Sequence, residues 1–126
     1  MNKLALIALG GLLGTLSRYW LSQWVDGRAA SAFPYGTMTV NLLGCFAAGF
    51  LFQLLEHAVV SPDLQLAIFT GFLGGFTTFS AYALQTLVLT RGGMLSMAAV
   101  NVVASNVFGL AMVWIGAGVS RLLVVR

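Results

Sequence analysis

Four long apolar runs follow one another along the chain, separated by short polar stretches. Leu4 to Val25 carries one charge, Arg18, while Tyr35 to Leu55, Leu64 to Leu89 and Met94 to Val119 carry none. A helix crosses the hydrocarbon layer in about 20 residues, so each run predicts a membrane-spanning helix. The separating stretches hold helix breakers: Asp26-Gly27-Arg28 with Phe33-Pro34, then Ser61-Pro62-Asp63, then Arg91-Gly92-Gly93. Pro62 stands where the first turn of a helix tolerates proline. The runs are continuous rather than alternating, which argues against the strands of an outer-membrane barrel. The expectation is an all-α integral membrane protein, one domain over residues 1–126 with no room for a soluble one. Lys3, the first apolar run and Ala30-Ser31-Ala32 imitate a signal peptide. The run is too long for one, Arg18 interrupts it, and the remainder is itself membrane-embedded.

Composition sharpens this picture. Sixty per cent of the 126 residues are hydrophobic and 7% are charged, where a soluble domain carries about 25% charged residues. A nucleic-acid binder would need a basic patch, and the six cations here are scattered. The single cysteine, Cys45, excludes a disulfide scaffold. Four spans put both termini on one side, with Lys3, Arg121 and Arg126, and leave Arg28 and Arg91 on the other. Orientation normally follows a clear Lys/Arg excess on the cytoplasmic side, and this chain has almost none. Two readings stay open. Either another device orients the protein, or it inserts both ways round, which permits an antiparallel dimer with its two-fold axis in the membrane plane.

Polar residues inside the spans are where chemistry is sought. Gly71-Phe72-Leu73-Gly74-Gly75-Phe76-Thr77-Thr78-Phe79-Ser80 sits in the middle of the third run. A straight helix over Leu64 to Leu89 would be about 39 Å long, more than the membrane needs. Gly74-Gly75 weakens the helix. A helix broken near mid-membrane frees carbonyl groups, which lipid tolerates only when protein, water or an ion satisfies them. An ion site of backbone oxygens is one reading; close packing through glycine, with Thr and Ser bonded to their own helix, is the other. Beyond this point Phe79, Tyr82, Ala83, Thr86 and Thr90 share a face. They read as core packing or as a pore lining in which aromatic ring edges, which are electropositive, favour a small anion. In the fourth run Asn101, Ser105, Gly109, Met112, Gly116 and Ser120 share a sector, with Asn106 at its border. They read as interhelical hydrogen bonding or as a lining of N–H and O–H donors. Asn41 interrupts a small-residue face of the second run, and Gly10, Gly14 and Ser17 form such a face in the first. Arg18 either snorkels to an aromatic belt of Tyr19, Trp20 and Trp24 or places positive potential in a vestibule.

No acidic residue lies inside a span, so a proton-coupled cation exporter lacks its carboxylate. His57 stands alone at a span end, which leaves a histidine metal site or a hydrolytic triad without support. Cys45 is expected to pack as a small hydrophobe. An enzyme is not expected.

Taken together these residues resemble the small fluoride channels of the Fluc/CrcB family. The likeness covers the whole chain. It is carried by Gly36-Thr37-Met38-Thr39-Val40-Asn41, by Gly74-Gly75-Phe76-Thr77-Thr78-Phe79-Ser80, by Arg18-Tyr19-Trp20 and by Asn106-Val107-Phe108-Gly109. The resemblance implies a multi-pass protein of the bacterial plasma (inner) membrane, assembled as an antiparallel dual-topology homodimer with two fluoride pores. It implies a structural sodium ion on the backbone carbonyls of Gly74 and Thr77 from both subunits. It also implies an anion path lined by the rings of Phe79 and Tyr82, with Asn41 donating to fluoride and Arg18 contributing to the vestibule. Thr86, Ser105 and Asn106 are the candidate polar residues beside that path. Fluoride would leave the cytoplasm passively after entering as neutral HF. This chain has Tyr82 where the family usually has a second phenylalanine, and Leu110 where serine often follows the fourth-span glycine. The ring edge of Tyr82 is expected to suffice, its hydroxyl being dispensable. The rival readings are a small multidrug-type exporter, which needs a first-span carboxylate that this chain lacks, and a non-transporting membrane assembly subunit.

Overall fold

The computed structural model describes residues 2–56 and 58–124; the expectations resting on His57 and Arg126 lie outside them. Helix α1 runs over Lys3–Ala29 and α2 over Tyr35–Glu56. The third span is composite. It opens with α3, Pro62–Leu66, continues as a π-helical stretch, Ala67–Leu73, and closes its first half with α4, Gly74–Phe76. Its second half is α5, Phe79–Arg91, and the chain then turns into α6, Leu95–Val124. Among the described residues four helices are thus long and apolar enough to cross a membrane, the third being Pro62–Arg91 taken as one unit.

Side chains mark most helix starts. Asn2 Oδ1 accepts from the Leu4 N–H at 3.3 Å, and Ser61 Oγ accepts from the Leu64 N–H at 3.3 Å with Pro62 following. The start of α2 is capped from a distance. Asp26, in the last turn of α1, accepts from the Gly36 N–H at 2.7 Å. Two boundaries differ from the sequence pattern. Asp26-Gly27-Arg28 does not end α1, because Arg28 folds back: its guanidinium lies 4.0 Å over the Trp24 ring and donates to the Trp24 carbonyl at 3.1 Å. The helix stops only at Ala30, which adopts left-handed angles. Helix α6 likewise continues past Val119 through Arg121, since nothing there interrupts its hydrogen bonding.

Two seams hold the bundle together. Helix α2 packs along α6, and α1 packs along the π-helical stretch and α4. Both seams are closed by glycines set against backbone. A Cβ on Gly116 would fall on the Phe46 carbonyl, and one on Gly49 would fall on Val113's. Across the other seam, a Cβ on Gly10 would stand 2.5 Å from the Ala67 oxygen, and one on Gly75 would stand 2.6 Å from Gly11's. Helices in lipid gain little from hydrophobic burial against one another, so this close approach is what drives their packing. Few large side chains are buried: Val40 and Leu89 lie at 0% and 2% exposure, beside Phe33, Leu73 and Phe76. The remaining leucines, valines and aromatics mostly face outward, as a lipid-embedded chain requires.

Gly49→Val or Gly116→Val should separate α2 from α6, lowering stability by about 1–3 kcal/mol or more. Gly118, with nothing within 4 Å of an added Cβ, supplies the control: Gly118→Ala should be neutral or stabilising by up to about 1 kcal/mol. Thermal unfolding in detergent micelles measures both.

Candidate ion pathway

The second and third spans meet through one polar contact. Asn41 Oδ1 accepts from the Thr78 N–H at 2.8 Å, and Asn41 Nδ2 donates to the Thr78 carbonyl at 3.1 Å. One side-chain amide thus pairs with both polar groups of one residue, as a facing residue does in an antiparallel sheet. Thr77 and Thr78 are extended, at φ −88°, ψ 157° and φ −151°, ψ 113°. The chain reaches them through a last helical bond, from the Thr77 N–H to the Leu73 carbonyl at 3.0 Å, reinforced by the Thr77 hydroxyl on the same oxygen at 3.0 Å. It leaves them through Thr78 Oγ1, which accepts from the Ala81 N–H at 3.3 Å and starts α5. Gly44 on α2 makes room for the Thr77 methyl group. The helix therefore gives way at Thr77-Thr78 rather than at Gly74-Gly75. Both glycines stay helical; Gly75 is pressed against α1, where a Cβ would stand 2.6 Å from the Gly11 oxygen, whereas one on Gly74 would meet only the Phe69 carbonyl of its own span at 3.6 Å. The threonines depart because Asn41 captures the N–H that would otherwise close on the Gly74 carbonyl.

Around this contact lies a cavity of about 230 Å³ lined by Asn41, Cys45, Thr77, Thr78, Phe79, Tyr82, Ser105 and Asn106. None of these side chains carries a formal charge. The Phe79 and Tyr82 rings stand 5.3 Å apart between centroids, tilted by 51°, an arrangement that keeps ring edges available. From α6, Asn106 Nδ2 donates to the Tyr82 hydroxyl oxygen at 3.2 Å and to its own helix at the Val102 carbonyl, 2.8 Å away. One turn away a second network ties α5 to α6. Asn101 Nδ2 donates to Thr86 Oγ1 at 2.9 Å, Thr86 donates to the Tyr82 carbonyl at 2.9 Å, and Ser105 donates to Asn101 Oδ1 at 3.4 Å. An uncharged cavity of ring edges, amides and hydroxyls suits a small anion that must bind and leave, since a fixed charge would hold it.

The family model described as CrcB-like protein, Camphor Resistance (CrcB), matches residues 5–117. The chain belongs to the CrcB-like family. It is similar to proteins named fluoride-specific ion channel FluC. The one from Methylobacillus flagellatus is 44% identical over 92% of each chain. That from Citrifermentans bemidjiense is 45% identical over 98% of this chain and 100% of its own, and that from Nitratidesulfovibrio vulgaris is 41% identical over 97% and 99%.

In this CrcB-like chain Asn41, Thr77, Phe79, Tyr82, Ser105 and Asn106 come together at one cavity. Thr86 is not part of that lining, and its hydroxyl proton is committed to the Tyr82 carbonyl. Gly74 and Arg18 also stand outside the lining, Arg18 half-buried on α1. Three residues gain roles that the pattern alone did not assign. Cys45 lines the cavity instead of merely filling space, with its Sγ 3.6 Å from where a Gly109 Cβ would be. Asn101, 1% exposed, anchors Thr86. Thr78 is both Asn41's partner and the cap of α5. In the sequence Asn101 is a member of the fourth-span polar stripe and Thr78 a member of the third-span motif, but neither pattern names the partner that gives the residue its role.

Asn41→Asp keeps an acceptor for the Thr78 N–H but sets a second carboxylate oxygen against the Thr78 carbonyl. The variant should lose about 1–3 kcal/mol of stability, the cost of leaving a part-buried polar group unsatisfied in lipid. Asn41→Leu, which loses both bonds, should lose at least as much. Detergent melting curves of the two variants check this; an unchanged melt for Asn41→Leu would mean that the pair contributes nothing to the fold.

Proposed function

We propose that this chain is a fluoride-specific channel through which fluoride leaves the cytoplasm passively. The observation that carries the reading is the uncharged cavity where an asparagine amide, two aromatic rings and the Asn106–Tyr82 pair converge, in a chain whose relatives at 41–45% identity are named fluoride channels. Fluoride is small and strongly hydrated, so the path must replace its water with hydrogen-bond donors and ring edges. The protein is a conduit and not an enzyme. An exporter driven by protons has no carboxylate to work with in the cavity, and Asp26 is engaged with the Gly36 N–H at a helix end.

The working form in this reading is an antiparallel homodimer in the bacterial inner membrane. Phe79 supports it: the ring borders the cavity yet is 77% exposed in a single copy, and a second copy would cover it. The near balance of cations, Lys3, Arg121 and Arg126 against Arg28 and Arg91, supports insertion both ways round. The extended residues Thr77 and Thr78 would lie near mid-membrane. The carbonyls of Gly74 and Thr77 fit a structural sodium ion, because Asn41 has taken the Thr78 N–H that would have bonded Gly74, and the donor set is uncharged oxygen. Bound there, sodium would satisfy those carbonyls and join the two copies. Arg18 would raise the local positive potential at a vestibule, and Thr86 would brace the α5 backbone beside Tyr82.

Purified protein in liposomes should release fluoride, and not chloride, down its gradient, as read by ion-selective electrodes. Reversal potentials should follow the fluoride gradient alone; a fixed coupling to protons or sodium would defeat the passive reading. Two lysines inserted after Val125 should force one orientation and abolish flux from that chain by itself, with flux restored by an oppositely biased partner. Full activity in the single-orientation variant would overturn the antiparallel assembly.

A further inference from the structure

Resting on the channel reading above, a count of hydrogen-bond donors separates the residues around the cavity. Asn106 has two N–H donors on Nδ2, and both have acceptors: the Val102 carbonyl at 2.8 Å and the Tyr82 hydroxyl oxygen at 3.2 Å. A carbonyl can only accept, so the atom facing Val102 must be the nitrogen, which fixes the amide's orientation. Asn106 therefore has no donor left for an ion. Tyr82 is the reverse case. Its oxygen accepts from Asn106, and its own O–H proton has no acceptor among the described residues. A phenol proton prefers the ring plane, and the incoming Asn106 hydrogen occupies one side of the oxygen. The free proton is turned to the other side, on a residue that lines the cavity with Asn41 and Phe79. Asn41 retains one N–H as well, since Thr78 takes only one.

We propose that the Tyr82 hydroxyl donates a hydrogen bond to the permeating anion, and that Asn106 is a positioning residue that holds its oxygen and directs its proton. Fluoride then meets an O–H and an N–H donor in addition to ring edges. The hydroxyl adds a donor that a phenylalanine cannot supply. This reverses the expectation that the ring alone suffices at position 82. Asn106 acts through Tyr82 and not on the ion.

The test compares the parent with Tyr82→Phe, Asn106→Leu and the double variant in liposomes, reading the fluoride concentration that gives half-maximal efflux. One hydrogen bond to an ion corresponds to about tenfold or more in affinity, so Tyr82→Phe should raise that concentration by about this factor. Asn106→Leu should raise it less, and the double variant should match Tyr82→Phe alone, because Asn106 has no separate contact with the ion. A second readout needs no transport. Fluoride, but not chloride, should shift the near-ultraviolet tyrosine absorption of the parent in detergent, and Tyr82→Phe should abolish the shift although Tyr19 and Tyr35 remain. Tyr82→Phe with unchanged half-saturation and an unchanged spectral shift would overturn the proposal, as would a full Asn106→Leu loss persisting in the phenylalanine background. Should Asn106→Leu fail to assemble by gel filtration, the phenylalanine variant and the spectrum decide by themselves. A parent that releases no fluoride would refute the channel reading itself, an outcome distinct from a conducting parent indifferent to its hydroxyl.

Discussion

The two hydrogen bonds between Asn41 and Thr78 bear a constraint that a lipid environment imposes on every spanning segment. Backbone groups that leave a helix there have no water to bond, and each unsatisfied one costs several kcal/mol. Thr77 and Thr78 leave the helix, yet the Thr78 N–H and carbonyl are both engaged by a single side chain from α2. The extended pair, the capped start of α5 and the outward set of Phe79 all follow from that engagement. So does the freeing of the Gly74 carbonyl. An amide side chain is the economical solution, because only Asn or Gln offers an acceptor and a donor side by side in a fixed plane.

For the amide to reach Thr78, α2 and the third span must approach more closely than ordinary side chains allow. The glycines do this work away from the contact itself. Gly44 clears the Thr77 methyl directly. Gly10, Gly14, Gly71 and Gly75 let α1 press against the π-helical stretch and α4. A π-helical stretch is wider than an α-helix and departs from its register, and such stretches are frequent at functional sites. Here it carries the chain from the α3 cap to Thr77, and α1 supports it along one side. The position of the cavity is thus set by backbone contacts between α1 and the third span.

The four spans were legible from hydropathy and breakers, because length and apolarity alone decide them. Their ends were less so. Arg28 folding onto Trp24 and Asp26 capping α2 are tertiary events, and a sequence shows only a charge and a glycine. Within the glycine-rich motif the extended residues are Thr77 and Thr78, not the two glycines. Glycine lowers helix propensity, but in Gly75 the absent side chain serves packing against α1, while the departure at Thr77-Thr78 depends on a partner 37 residues earlier. Asn41, Phe79, Tyr82, Ser105 and Asn106 were candidates from spacing and from resemblance, and they do meet at one cavity. Their division of labour was not legible. Which amide hydrogen goes to which oxygen depends on distances of a few tenths of an ångström between helices.

That division bears on how an uncharged path can favour a single small anion. Three asparagines stand in or beside the cavity, and their donors are largely committed to protein: Asn41 to Thr78, Asn101 to Thr86, Asn106 to Val102 and Tyr82. A path lined by loose amides could rearrange around chloride as readily as around a smaller ion. Amides locked by their own bonds cannot, because each shift would break a hydrogen bond to protein, typically worth about 0.5–1.5 kcal/mol net. The few donors that remain free are then rigid in position. Selectivity in such a path comes from the stiffness of the surrounding network more than from the strength of any one donor. On the proposed path, the side chains that hold the network would therefore shape the ion's environment as much as those that would touch it.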